Sequence, residues 1–295
     1  MDKRNELTSR VLPKMQFCPK EAATPAPKEL PKDPSANPAL ERFKVSGNAI
    51  VTGGGGDLGS AACRALLEHG LQGLFVFDID PVQAEQRLDP LRVDFPSARI
   101  YFRKVDITKE HDVETAVEDA TAVLGQIHHL LCFAATVSCL PTAEVSAGEW
   151  RRVQEINTTG GFIIAQAVGK RMIASKCRGS IVFIGSISGH RVCYPQPQAA
   201  YNVSKAGVIM LKNCLAAEWA VHGIRVNSIS PGYMDTILNE GEGLDDVKDV
   251  WLSRNPLGRM GDREELTGAV VLLSSRAGSY INGSDILVDG GQIVC

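Results

Sequence analysis

The sequence predicts an α/β domain: a doubly wound parallel sheet covered by helices on both faces. Short apolar runs alternate with stretches of helical periodicity from Val45 onward. Strands apolar on both sides belong in a parallel sheet whose two faces are covered. A Gly-rich turn also joins the first apolar run to the first helical stretch. In that arrangement backbone N–H groups and a helix N-terminus face an anion.

Each element follows from its pattern, β-branched and aromatic runs for strands and apolar spacings of three and four for helices. Asn48–Thr52 reads as a buried strand, followed by a helix over residues 61–69. The next two strand–helix pairs are 74–78 with 82–91, and 100–105 with 111–124. A fourth strand at 130–134 leads into a long helix over 149–174. Ser180–Ile184 is the fifth strand, followed after a loop by a helix over 201–222 and a sixth strand at 225–229. A helix over 264–274 and a last strand at 286–288 close the chain. No internal repeat or further boundary interrupts residues 45–295, which read as one domain.

Residues 1–44 have another character, with seven of the fifteen prolines before residue 40 and little periodicity. They read as an extended or disordered arm. Lys3, Arg4 and Arg10 would suit a mitochondrial presequence, but Asp2 and Glu6 count against it, which favours a cytoplasmic location.

The 295 residues are 44% hydrophobic, enough for a well-buried core. A net charge of −3 supplies no basic field for nucleic acid, and no apolar run is long enough to span a membrane. The eight cysteines are scattered without a C-x-x-C pair, the pattern of reduced thiols. The six histidines form no ligand spacing, and adjacent His128 and His129 on a strand edge would face opposite ways, so no metal is expected.

The first strand runs into Thr52-Gly53-Gly54-Gly55-Gly56-Asp57-Leu58-Gly59, a candidate cradle for a dinucleotide diphosphate. Asp78 ends the second strand, nineteen residues after Gly59. A carboxylate there accepts hydrogen bonds from ribose hydroxyls and repels a 2′-phosphate, so NAD is favoured over NADP. Asp80, before Pro81, better fits the role of helix cap. Asp106 at the end of the third strand either reaches an adenine or caps the next element. Tyr201 and Lys205 are four residues apart, so phenol and ammonium share one helix face. The positive charge should lower the tyrosine pKa and prepare it to exchange a proton with an alcohol, whose oxygen Ser186 could hold.

Together these residues identify the chain as similar to the short-chain dehydrogenase/reductase family over nearly all of residues 45–295. Thr52-Gly53-x-x-x-Asp57-x-Gly59 resembles its phosphate loop, T-G-x-x-x-G-x-G. The resemblance implies a Rossmann-type nucleotide site contacted by Gly53, Gly55, Asp57, Leu58, Gly59, Asp78, Asp106, Ile107 and Ala134. Pro231-Gly232-Tyr233-Met234-Asp235-Thr236 resembles the segment lining the nicotinamide, with Pro231, Gly232, Met234 and Thr236 as contacts. It further implies catalysis by Ser186, Tyr201 and Lys205, with Tyr201 and Lys205 also contacting the cofactor and Lys205 holding the nicotinamide ribose. Asn157 would organise a water in a proton path. Asp289-Gly290-Gly291 resembles the closing motif. Two departures stand out. Asp57 replaces a glycine and brings a negative charge close to the diphosphate, either pointing outward or capping its helix. The N-N-A-G strand end appears as Cys132-Phe133-Ala134-Ala135.

The stretch from Ser186 to Tyr201, with 231–238, more narrowly resembles fungal polyol and ketose reductases of the D-arabinitol 2-dehydrogenase, sorbose reductase and mannitol dehydrogenase type. That resemblance implies a homotetramer or homodimer. Ser188, Gln196, Gln198 and Asn239 are candidates for contacts to a polyhydroxylated substrate. Residues 234–262, with five acids between positions 240 and 249, read as a lid whose apolar inner face Trp251 and Leu252 supply, unless they meet a neighbouring subunit. Acids there disfavour an anionic substrate. The expected activity is hydride transfer between a nicotinamide and a polyol or ketose. A tailoring ketoreductase for larger ketones and a non-catalytic nucleotide-binding scaffold are the competing readings.

Overall fold

The computed structural model describes residues 13–20, 26, 37–239 and 242–294. Most of the expected arm, residues 1–44, lies outside the described residues. Its last part forms α1 (Pro38–Phe43), capped by the Asn37 side chain, which accepts from the Ala39 N–H at 3.0 Å.

Seven strands make one sheet in the order β3-β2-β1-β4-β5-β6-β7. They are β1 (Asn48–Thr52), β2 (Gly73–Asp78), β3 (Arg99–Lys104), β4 (His129–Cys132), β5 (Ser180–Ile184), β6 (Arg225–Pro231) and β7 (Asp285–Val288). Every pairing is parallel. The strand order turns back between β1 and β4, the switch point at which α/β sheets open a cleft at their carboxyl ends.

The helices are α2 (Asp57–Glu68), α3 (Pro81–Asp94), α4 (Glu110–Leu124), α5 (Ala147–Gln154), α6 (Gly161–Ala174), α7 (Ala199–Trp219), α8 (Asp245–Ser253) and α9 (Thr267–Ser274). Alternation along the strands sends neighbouring residues to opposite faces. Ile50, Leu130 and Phe183 face a core with α4, α6 and α7. Val51, Leu131 and Val182 face a second core with α2, α3 and α9. Leu66, Leu131 and Val182 are fully enclosed. Truncating side chains as enclosed as these leucines costs about 2–5 kcal/mol.

Several boundaries differ from the sequence expectation. β4 ends at Cys132 rather than residue 134. β3 and β7 are partly exposed, as edge strands lacking a neighbour on one side are. The long helix expected over 149–174 starts at Ala147 and is interrupted by a π-helical turn, Glu155–Gly160. The helix expected over 264–274 begins as a 3₁₀ turn, Arg263–Leu266, held by a capping box between Asp262 and Glu265. The expected lid is closed at its neck, where Met234 bridges Gly261 and the Asp235 N–H donates to the Gly261 carbonyl at 2.7 Å. Within it lie α8 and two 3₁₀ turns, Ile237–Asn239 and Glu242–Leu244. Among the described residues no helix is long and apolar enough to cross a membrane.

Candidate active site

The Gly-rich turn needs glycine at two places. Gly53 takes φ +68, and a Cβ there would meet the backbone of Ala134. Gly59 lies against the Gly53 carbonyl, with no room for a side chain. The N-cap of α2 is Gly56, and no side chain caps that end of the helix. The first-turn N–H groups therefore suit an external anion such as a diphosphate. Leu58 packs against the second core.

Asp78 braces this loop. Its Oδ2 accepts from the Gly55 N–H at 2.9 Å, and its Oδ1 accepts from the Asp80 N–H at 3.1 Å. Each carboxylate oxygen has a second lone pair for a ribose hydroxyl. Asp80 is the cap of α3, accepting from Val82 and Gln83. Asp106 accepts from the Thr108 N–H at 3.0 Å and its hydroxyl at 2.7 Å, closing a turn after β3. Ile107 is buried beside Gly160, and the Ala134 N–H donates to Thr52 Oγ1 at 3.3 Å.

The catalytic residues expected from sequence converge beyond the end of β5. Ser186 starts the 3₁₀ turn Ile187–Gly189, accepts from the Ser188 N–H at 3.1 Å, and lies close enough to Tyr201 to act on its phenol. Lys205, one turn along α7, donates from Nζ to the Ile184 carbonyl at 2.8 Å and lies 5.6 Å from the Tyr201 ring centre. Asn157 sits in the π-helical turn, a distortion often found at functional sites. Its Oδ1 accepts from the Thr136 N–H at 2.7 Å, and its Nδ2 donates to the Thr136 carbonyl and to Ser204 Oγ, both at 2.9 Å. The Asn157 amide thus ties the loop after β4 to α7.

Electrostatics correct one expectation. Burial pushes the Tyr201 phenol up to about 12, outweighing the lowering effect of the Ser186 hydrogen bond, instead of drawing it toward neutral pH. The same burial holds Lys205 down to about 8, because an ammonium stripped of water favours its neutral form.

The four substrate candidates differ in their partners. Gln198 donates from Nε2 to Ser188 Oγ at 2.9 Å, and Ser188 in turn contacts Cys193 Sγ at 3.4 Å. The Cys139 thiol completes this wall, 3.7 Å from Gln198 Oε1. Gln196 instead spends both ends of its amide on the lid, donating to the Tyr233 hydroxyl at 2.7 Å and accepting from Trp251 Nε1 at 3.0 Å. Asn239 turns back to donate to the Met234 carbonyl at 2.8 Å. Met234 and Thr236 are buried at the lid root, and the Gly232 N–H donates to the Val288 carbonyl at 2.9 Å, so Pro231 and Gly232 continue the sheet.

Sequence reasoning missed a stack of Tyr233 on Trp251, with ring centres 4.0 Å apart and planes at 11°. Trp251 is buried by this contact, which gives the lid its apolar inner face. It also missed the surroundings of Asp57, which neither points outward nor caps its helix. Its Oδ1 pairs with Arg87 at 2.5 Å and lies 4.0 Å from Arg263, and its Oδ2 accepts from the Ile237 N–H at 3.0 Å. The unusual residue type was the available signal; its hydrogen-bond partners are 30 and 180 residues away.

Known proteins resemble this chain over most of its length. Residues 56–292 match the protein family described as Enoyl-(Acyl carrier protein) reductase. The NADP-dependent mannitol dehydrogenase of Hypocrea jecorina is 36% identical over 262 residues, 88% of this chain and 97% of its own. The ribulose-forming D-arabinitol 2-dehydrogenase of Scheffersomyces stipitis is 34% identical, covering 85% of this chain and 96% of its own. The crystal structure of gox2181 superposes with a TM-score of 0.83 at 35% identity, over 87% of this chain and 99% of that one. With that likeness running through both the sequence and the fold, the chain belongs to the short-chain dehydrogenase/reductase family of nicotinamide-dependent oxidoreductases.

Proposed function

We propose that this enzyme interconverts a polyol and its ketose by oxidising a secondary alcohol, with NAD as the preferred cofactor. The observation that carries the reading is the convergence of Ser186, Tyr201 and Lys205 beside a polar wall of Ser188 and Gln198. A wall of hydroxyl and amide groups suits a neutral, many-hydroxyl substrate, and the lid acids disfavour an anion. The polyol dehydrogenases among the relatives support the same class.

The nicotinamide, when bound, accepts or supplies the hydride. The chain's own groups handle the oxygen and its proton. Ser186 Oγ would hold the alcohol oxygen while the Tyr201 hydroxyl exchanges its proton. Lys205 would hold the nicotinamide ribose and stabilise the phenolate as it forms. Asn157 would support the proton path by fixing the backbone at Thr136 and the Ser204 hydroxyl. Gly53, Gly59 and the start of α2 would take the diphosphate, and Thr236 the carboxamide.

Asp78 supports NAD, since a carboxylate at the end of β2 would repel a 2′-phosphate. NADP dependence of the mannitol dehydrogenase relatives makes this choice the discriminating measurement. Buried thiols at Cys63, Cys132, Cys177 and Cys193 support a reducing compartment such as the cytoplasm. A homodimer or homotetramer accompanies the reading. The test is a panel of D-arabinitol, mannitol, sorbitol and xylitol run with NAD and with NADP. Turnover of at least one polyol, faster with NAD, is expected. No turnover on any would sink the polyol reading, and a strong preference for NADP would overturn the Asp78 argument.

A further inference from the structure

We propose that Asp57 is a resident anion that latches the lid to the phosphate loop, and that a dinucleotide binds by displacing it. This rests on the nucleotide-binding reading above and deepens it.

The side chain is only 10% exposed, although it sits in the first turn of a helix at the mouth of a cleft. Its carboxylate gathers three groups from three parts of the chain. Arg87 comes from α3, the helix that follows the loop-bracing Asp78. Ile237 offers its N–H from the first turn of the lid, next to Thr236. Arg263 stands just past the lid neck at Gly261. One carboxylate thereby joins the phosphate loop, the adenosine side and the lid root.

Two guanidinium groups and a backbone N–H are the donor set that phosphate oxygens attract. In this structure a carboxylate holds them, at the N-terminus of the helix expected to receive the diphosphate. Two anions cannot share this place without repulsion. As the diphosphate arrives, the Ile237 N–H and the guanidinium of Arg87 pass to it, and the Asp57 carboxylate swings toward water. Asp57 is thus a positioning residue that weakens cofactor binding while it orders the lid root.

The test measures NADH binding by fluorescence titration, with ADP as a second probe that needs neither nicotinamide nor alcohol. Asp57→Asn keeps shape and removes charge, and Asp57→Gly restores the residue of the family loop. Both variants are expected to tighten NADH and ADP by about tenfold. Segment 237–253 should become more open to protease until NADH is added. Arg87→Met, which leaves the carboxylate less compensated, should weaken both ligands. A merely structural role would lower the Tm of the variants without moving their affinities. Unchanged or weaker binding by Asp57→Asn and Asp57→Gly, with wild type binding normally, overturns the latch and leaves the function reading intact. Binding by Asp57→Gly but not by wild type supports the latch. No NADH binding by any form overturns both.

Discussion

The amino and carboxyl edges of the sheet, where its strands begin and end, both bury polar and ionisable groups and use them differently. At the amino edge, Asn48 donates to the carbonyls of Leu124 and Gln126, both at 2.9 Å. Arg225 donates to the carbonyls of Leu273 and Ile281 at 2.7 and 3.1 Å, and burial holds it down to about 10. His129 contacts the Ser46 carbonyl at 2.9 Å, and burial lowers it to about 4. Each of these groups ties off a neighbouring loop. At the carboxyl edge, Tyr201 and Lys205 are shifted as strongly, but Ser186, Ser188 and Gln198 gather with them around one space. A perturbed pKa is therefore no sign of chemistry by itself. Convergence of side chains from different elements at strand carboxyl ends is the better sign, because strands diverge there and leave a crevice.

Substitutions can break this contrast. The largest effect is expected from Tyr201→Phe, which removes the acid/base and should lower kcat about 10³-fold while leaving NADH affinity unchanged. An unaltered kcat would mean that the phenol is only a packed side chain, like the amino-edge groups.

Lys205→Met should lower activity by about 100-fold or more and yet raise the Tm at pH 7. At that pH the ammonium is largely charged and buried, a cost that methionine removes. Stability of the wild type should rise with pH from about 8 to 10.5, because there the unfolded state binds the proton that the folded lysine has released. A lower Tm for the variant would show that the bond to Ile184 outweighs desolvation.

The smallest effect on activity belongs to His129→Gln at the amino edge. Unfolded His129 takes up a proton near pH 6.5, and folded His129 only near about 4, so stability falls as pH drops through that window. The loss is about 3 kcal/mol, and glutamine should flatten this limb in acid unfolding curves with kcat retained. An unchanged limb would assign acid sensitivity to other groups.

Much of the site was legible because it is local. Tyr201 and Lys205 share a helix face by spacing alone, and Asp78 ends a strand that a run of apolar residues marks. What escaped the sequence was non-local or depended on direction. Gln196 and Gln198 are two residues apart in one loop, yet one clamps the lid and the other lines the centre. Nothing in their type separates them. The π-helical turn at Asn157 was equally hidden, since its apolar pattern reads as continuous helix.

By itself the sequence determined the parallel sheet, the Gly-rich turn and the Ser186, Tyr201 and Lys205 set, because periodicity and short spacings act within single elements. Only the tertiary structure decided the state of these groups. Burial, a property of packing, reversed the expected shift of Tyr201. It also decided Asp57, whose role depends on Arg87, Ile237 and Arg263 arriving from elsewhere in the chain. A charge shows its sign in the sequence, but what it binds is set by which partners folding brings within reach.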